Sequence, residues 1–91
     1  MKNFIKRETM MLIKANQELN AKSDVLEYMH SIIHESSDIY HLVGKLTIMK
    51  EKAIDTIEKV ADTESNEYFY YRGLISYIDI IILTICERER E

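Results

Sequence analysis

The segment YFYYRGLISYIDIIILTICERERE, residues 68–91, decides the fold of this 91-residue chain. Four of its first six residues are aromatic, residues 74–86 carry one charged side chain, Asp79, and glutamate and arginine alternate after them. Wound as an α-helix, the segment puts its polar side chains on one narrow stripe: Arg72, Ser76, Asp79 and Glu87. A helix that is apolar around most of its circumference is expected to be buried on more than one side.

A single copy of this chain offers few other helices to cover such a helix, so we predict a helical bundle completed by oligomerisation. One face of the last helix would pack on the rest of the chain, and another would pack on a second copy. The predicted homo-oligomer interface consists of large apolar side chains: Leu74, Tyr77, Ile78, Ile81, Ile82 and Ile85. A hydrophobic groove for a foreign protein is the alternative use of this surface.

The same segment is short for a membrane span. A spanning helix needs about 20 apolar residues, whereas the run at 74–86 is shorter and has Asp79 near its centre. An aspartate at the bilayer centre costs about 2.5–3.5 kcal/mol, so we predict no membrane span. The single cysteine, Cys86, cannot form an internal disulfide, and we expect an inert, buried thiol in a reducing cytoplasm.

The composition favours helices over strands. Hydrophobic residues make up 46% of the chain and charged residues 31%, proline is absent, and the two glycines are Gly44 and Gly73. A β-rich domain of this size needs several tight turns rich in glycine, proline, asparagine or aspartate, so the predicted class is all-α. The net charge of −4 argues against non-specific nucleic-acid binding, which needs a basic surface.

Apolar periodicity and two polar interruptions divide the chain into three helices of one domain, residues 1–91. We predict a long N-terminal helix at about 3–35, followed by a helical hairpin at about 38–61 and 66–88. The long helix carries one heptad seam made of apolar residues: Ile5, Leu12, Ala15, Leu19, Leu26, Met29 and Ile33. A joint at residues 20–23 is the alternative to a continuous first helix.

Polar residues between the helices supply the expected caps. Ser36 or Ser37 can accept a hydrogen bond from the free N–H groups at the start of the second helix. Residues 62–66 offer the same chemistry to the third helix. The sequence therefore predicts where both hairpin helices begin.

The second and third helices are weakly similar to each other. Setting residues 36–59 over 65–88 aligns Gly44 with Gly73, each after aromatic residues. Glycine costs about 1 kcal/mol in a helix interior relative to alanine, so we predict a close helix–helix approach at both glycines. Chance similarity between two apolar helices is the alternative.

A polar cap and aromatic residues come before Tyr40-x-x-x-Gly44 in one helix and Tyr71-Arg72-Gly73 in the other. This pattern resembles that of small, uncharacterised, all-helical proteins encoded by bacteriophages. The resemblance covers residues 36–91 and implies a phage or mobile-element origin, without a role for any single residue.

The aromatic quartet Tyr68, Phe69, Tyr70 and Tyr71 surrounds the first turn of the third helix. Tyrosine joins a large apolar body to a polar tip and is enriched at interfaces. Together with Arg72 and Asp79, the quartet is the predicted contact site for a partner or ligand. A nucleobase stacked on the rings, with its phosphate at the helix N-terminus, is one alternative, and a purely structural seal is another.

Glu27, His30 and His34 share one helix face and have the E-x-x-H spacing of carboxylate-bridged metal sites. Such a site needs a second E-x-x-H and further glutamates, so we predict a solvated polar face with no metal and no cofactor. The sequence contains no nucleophile elbow, P-loop or dinucleotide fingerprint. We therefore predict that the protein is not an enzyme.

These observations favour a cytoplasmic, non-catalytic interaction protein of phage type that binds and blocks a bacterial host or defence component. One alternative is an oligomer that sequesters a small nucleotide in pockets between chains, near residues 68–72 and 2–14. Another is a virion-assembly or regulatory factor.

Overall fold

The computed structural model describes residues 2–35 and 38–89, and these form three α-helices. Helix α1 spans Lys2–Glu35, α2 spans Ile39–Glu58 and α3 spans Asn66–Glu89, with no strand in the described ranges. The prediction of an all-α fold, with one long helix before a helical hairpin, is confirmed. Helix α1 runs through residues 20–23 without a break.

The length of α1 sets the shape of the molecule. Its 34 residues rise about 1.5 Å each and give a rod of about 51 Å, and the longest dimension of the structure is 52 Å. The radius of gyration is 15.5 Å, above the ~12 Å typical of a compact domain of this length. One end of α1 therefore extends beyond the hairpin: residues 2–9 are exposed at every position.

Helix α3 lies between the other two helices, packing against α1 and α2, which contact each other only slightly. Leu74 and Ile78 of α3 are 4% and 0% exposed and meet Val25 of α1 and Leu46 of α2 in one core. Helices α1 and α2 cover part of α3, whereas Ile80 and Leu83 on its other side are 59% and 62% exposed. Oligomerisation through α3 therefore stays a prediction.

The face of α1 that packs is not the predicted heptad seam. The buried residues of α1 are Ala21, Val25 and Ile32, whereas Leu12 and Leu19 of the seam are exposed. Consecutive residues of an α-helix are about 100° apart, so buried Val25 and exposed Leu26 lie on different faces. Helix α1 thus carries two apolar faces, and the hairpin covers the less regular one.

Capping groups mark the ends of the hairpin helices. The N-cap of α2 is Asp38, whose Oδ1 accepts a 2.9 Å hydrogen bond from the backbone N–H of Tyr40. This corrects the expectation of a serine cap, and Ser36 and Ser37 lie outside the described residues. At α3, Ser65 Oγ accepts a 3.1 Å hydrogen bond from the N–H of Tyr68, so the predicted cap in residues 62–66 is confirmed.

Helix α2 ends at Glu58, three residues before the predicted end at 61. The N–H groups of Lys59 and Val60 each donate a 3.1 Å bond to a carbonyl three residues earlier, at Thr56 and Ile57. This tighter winding closes the last turn and turns the chain out of the α-helix.

The two glycines have different environments. A Cβ atom on Gly73 would lie 3.1 Å from the Cα of Glu18 and 3.5 Å from the Cβ of Ala21, both on α1. A Cβ atom on Gly44 would meet nothing within 4 Å. The predicted close approach is confirmed at Gly73 and wrong at Gly44, because α1 crosses only the third helix at this level.

Candidate functional site

The most prominent surface of the molecule is a row of large aliphatic side chains along α1. We call this row the heptad stripe; it consists of Ile5, Leu12, Leu19, Leu26 and Ile33, spaced seven residues apart. Each of these side chains is 47–71% exposed. At about 1.5 Å per residue, the stripe extends over about 42 Å. An apolar surface of this length is unusual on a monomer.

A mixed set of two charged and two apolar side chains occupies the positions between the residues of the heptad stripe. These positions lie three residues after each of its first four members: Glu8, Ala15, Lys22 and Met29. The first three are exposed and Met29 is half-buried against the core. The two sets together occupy the a and d positions of a coiled coil, and over residues 5–22 the side chains at both positions are exposed.

The aromatic quartet is half-buried at the start of α3. The rings form two edge-to-face pairs, Tyr68 with Phe69 at 6.1 Å and Tyr70 with Tyr71 at 5.1 Å between centroids. Tyr70 and Tyr71 also pack against the core. The quartet therefore joins the start of α3 to the rest of the bundle, and much of its surface is already used within the chain.

Tyr70 links α3 to α1 through a hydrogen bond that its hydroxyl donates to the carboxylate of Asp24. Burial, followed by this hydrogen bond and the negative charge of Asp24, raises the pKa of Tyr70 to about 12. Asp24 is a contact that sequence reasoning missed, since 46 residues separate the two partners.

Asp79 pairs with Lys50 of α2, with 2.5 Å between Asp79 Oδ1 and Lys50 Nζ. The sequence did not indicate this partner, because Lys50 lies 29 residues earlier in the chain. The Asp79 side chain is 51% exposed, so the pair lies at the rim of the α2–α3 contact. Its place explains the aspartate in an apolar run: that side of α3 meets solvent beside a lysine.

Arg72 lines a groove of about 370 Å³ between α1 and α3, together with Lys14, Glu18, Lys22 and Tyr77. The Lys22 ammonium lies 5.4 Å from the centroid of the Tyr77 ring, in a cation–π contact. None of the aromatic quartet lines this groove. A ligand in this groove would meet Arg72 and Tyr77 and not the rings of the quartet.

The predicted oligomer interface is largely used inside the chain. Leu74 and Ile78 are core residues, and the others pack against that core while half-buried: Tyr77, Ile81, Ile82 and Ile85. The exposed large apolar residues of α3 are instead Ile80 and Leu83. The sequence signal that distinguishes the free surface was the strict seven-residue spacing in α1, which is typical of a helix that pairs with another long helix.

The structure also locates two further features of the sequence, the histidine pair of α1 and the single cysteine of α3. His30 and His34 are exposed, with 3.1 Å between their Nε2 atoms and an edge-to-face ring contact. Among the described residues, no group of three or more histidine, cysteine, aspartate or glutamate side chains is placed to hold a metal ion. Cys86 is exposed, which corrects the expectation of a buried thiol, because its side of α3 faces away from the core.

By length and composition, α3 qualifies as a candidate membrane-crossing helix over Asn66–Arg88. The apolar run 74–86, too short on its own to cross a membrane, lies inside this longer helix. A core helix of a soluble protein meets the same criterion, and α3 does supply Leu74 and Ile78 to the core. The absence of a membrane span remains a prediction.

Comparison with protein-family models, curated proteins and solved structures finds no match to this chain. The resemblance to phage-encoded helical proteins therefore rests on the motifs around Gly44 and Gly73 alone.

Proposed function

We propose that this protein acts without catalysis, as a helical interaction module whose binding surface is the heptad stripe of α1. The observation that carries the proposal is the exposure of five aliphatic side chains at seven-residue intervals on one face. Burying one such side chain stabilises a complex by about 1.5–3 kcal/mol. In the monomer these side chains stay exposed to water, so a partner that buries them gains this free energy.

The geometry of the heptad stripe specifies the kind of partner. The stripe is narrow and about 42 Å long, so a globular surface would cover only part of it. A long amphipathic helix covers all of it, because helices with a heptad pattern stay in contact over many turns. We therefore propose a long amphipathic helix as the binding partner.

The biological setting of this proposal is the cytoplasm of a bacterium, where binding would block a host or defence component. This part rests on the resemblance of residues 36–91 to phage-encoded proteins. Blocking requires only that a surface of the target be covered, which a rigid three-helix scaffold with a free apolar face is able to do.

A pull-down from bacterial lysate with paired variants tests the proposal. In Leu12→Glu/Leu19→Glu, two charges interrupt the heptad stripe, whereas Asn20→Glu/Ser31→Glu adds the same charge at exposed positions outside it. We expect proteins captured by the wild type to be lost with the first variant and retained with the second. Equal capture by both variants would show that the heptad stripe is not the binding surface.

The alternative of a small anionic ligand has one structural feature in its favour. Lys14, Lys22 and Arg72 converge on the groove between α1 and α3, beside Tyr77. A thermal-shift screen with nucleotides tests it, since a ligand that binds only the folded state raises the melting temperature. If the groove is the binding site, the rise in melting temperature must be absent in the Arg72→Gln variant.

A further inference from the structure

We propose that the helix that pairs with the heptad stripe is α1 of a second copy of this chain, running antiparallel and centred between Leu12 and Ala15. The inference rests on the part of the proposed function that makes the stripe an interaction surface, and it names the occupant. Three independent features of α1 lead to it.

The first feature is that α1 contains both halves of a coiled-coil seam. The heptad stripe supplies the a positions, and Glu8, Ala15, Lys22 and Met29 supply the d positions. A straight α-helix drifts by about 20° per heptad from a strict seven-residue repeat, so the repeat is useful only to a helix that coils around another. A second α1 has the matching repeat over the same length.

The second feature is the pair of charges in the seam, which sets the direction. Glu8 and Lys22 lie seven residues on either side of Ala15. In a parallel, in-register pair each would meet its own copy, so like charges would face each other. In an antiparallel pair centred between Leu12 and Ala15, each a residue packs beside a d residue of the partner. Glu8 and the partner's Lys22 then lie in neighbouring layers on the same side of the seam, about 4.5 Å apart along the axis, which allows two ion pairs. Within the described residues neither side chain forms an ion pair in its own chain. Lys22 contacts the Tyr77 ring at 5.4 Å and would exchange this contact for the partner's Glu8.

The third feature is the unsupported start of α1. Residues 2–9 are exposed at every position and extend past the hairpin. A helix end with no packing partner is marginal in water. In the antiparallel pair this end lies along the second half of the partner's α1, where Leu19 and Leu26 continue the stripe.

The distribution of charge along the whole of α1 also favours the antiparallel direction. Lys2, Lys6 and Arg7 lie in the first two turns, and Asp24 and Glu27 lie in the part of the partner's helix that would run beside them. Opposite charge at the two ends favours the antiparallel encounter. The small side chain of Ala15 at the centre lets the two helices approach closely.

Charge exchange tests the proposal with the full-length chain, and sedimentation equilibrium measures the dimer dissociation constant. In the antiparallel pair, Glu8→Lys gives two lysine–lysine contacts and Lys22→Glu gives two glutamate–glutamate contacts. We expect each single variant to raise the dissociation constant about tenfold. The double variant Glu8→Lys/Lys22→Glu restores two opposite-charge contacts and should return it to the wild-type value.

Each outcome decides the matter. In a parallel pair, like charges face each other in the wild type and in all three variants. A double variant that dimerises no more tightly than the single variants therefore overturns the antiparallel arrangement. A wild type that stays monomeric up to high protein concentration overturns self-association, and the pull-down then still tests the proposed function. Conversely, a dimer with the expected charge pattern stands even if the pull-down captures nothing. Circular dichroism of every variant confirms that the exposed substitutions leave the fold intact.

Discussion

Gly73 of α3 lies against Glu18 of α1 so closely that a single methyl group on the glycine would come within 3.1 Å of the Glu18 Cα. The atom that it would meet belongs to the backbone, so rotation of a side chain cannot relieve the contact. The glycine therefore lies at a close crossing of α1 and α3, with the Ala21 Cβ 3.5 Å from the position of the added methyl group.

This contact predicts opposite effects for two glycine-to-alanine substitutions. Gly44→Ala meets nothing within 4 Å and gains helix propensity, so we expect it to raise the free energy of unfolding by about 0.5–1 kcal/mol. Gly73→Ala gains the same propensity but pushes α1 away from α3, and we expect a net loss of about 1–2 kcal/mol. Urea denaturation of both variants measures the difference, and equal stabilisation would contradict the close crossing.

The orientation of α3 predicts the outcome of a second matched pair. Ile78 is 0% exposed and Ile80, two residues later, is 59% exposed. Ile78→Ala leaves a cavity in the core and should cost about 2–5 kcal/mol. Ile80→Ala changes surface only and should stay within about 0.5 kcal/mol of the wild type. If Ile80→Ala is the more destabilising in thermal melts of dilute protein, α3 is rotated from the position described.

The Lys50–Asp79 ion pair predicts a small but specific coupling. Because Asp79 is half-exposed, its replacement by asparagine should cost no more than about 1 kcal/mol, and less at high salt. In a double-mutant cycle, Asp79→Asn and Lys50→Gln should not add, since either change removes the same contact. The control cycle of Asp79→Asn with Arg72→Gln should add fully. Coupling to Arg72 instead of Lys50 would contradict the ion pair described.

The hydrogen bond from Tyr70 to Asp24 predicts a loss of stability at high pH. The folded protein holds the phenol proton with a pKa of about 12, above the ordinary value of 10.0. The neutral phenol therefore stabilises the fold below pH 10, and this contribution is lost as the pH rises from about 10 to about 12. Denaturant melts across that range should show the loss in the wild type and less of it in Tyr70→Phe.

Tyr40, which is exposed, provides the matched control for this measurement. Tyr40→Phe removes a hydroxyl of the same kind without a contact to another helix, so its stability should follow the pH curve of the wild type. If Tyr70→Phe and Tyr40→Phe give the same curve, the Tyr70 hydroxyl does not link α3 to α1.

Local features of the sequence were sufficient to predict the secondary structure. The absence of proline, the polar residues near 36–38 and 62–66, and the continuous 3–4 spacing of apolar residues indicate three helices close to their observed bounds. Caps and helix propensity act over a few neighbouring residues. That is why the Ser65 cap and the unbroken α1 were within reach of the sequence, whereas the shortened end of α2 was not.

The candidate site shows the limit of this kind of reasoning. The sequence revealed the heptad seam of α1, but it did not show that Leu12 and Leu19 would remain exposed while Val25 became buried. Periodicity gives the angle between two faces of a helix and says nothing about which face a neighbour covers. The apolar excess of α3 was also visible in the sequence, but not that Leu74 and Ile78 would be buried while Ile80 and Leu83 stay exposed.

The sequence by itself thus determined three helices, their approximate ends and the presence of more apolar surface than a small monomer needs. Only the tertiary structure decided where that surface lies, which glycine marks the crossing and which cation meets Asp79. These properties depend on groups far apart in the chain, such as Lys50 with Asp79 and Tyr70 with Asp24. Their contacts are set by how whole helices cross, because a rotation of one helix exchanges the residues that are buried for those that are free to bind.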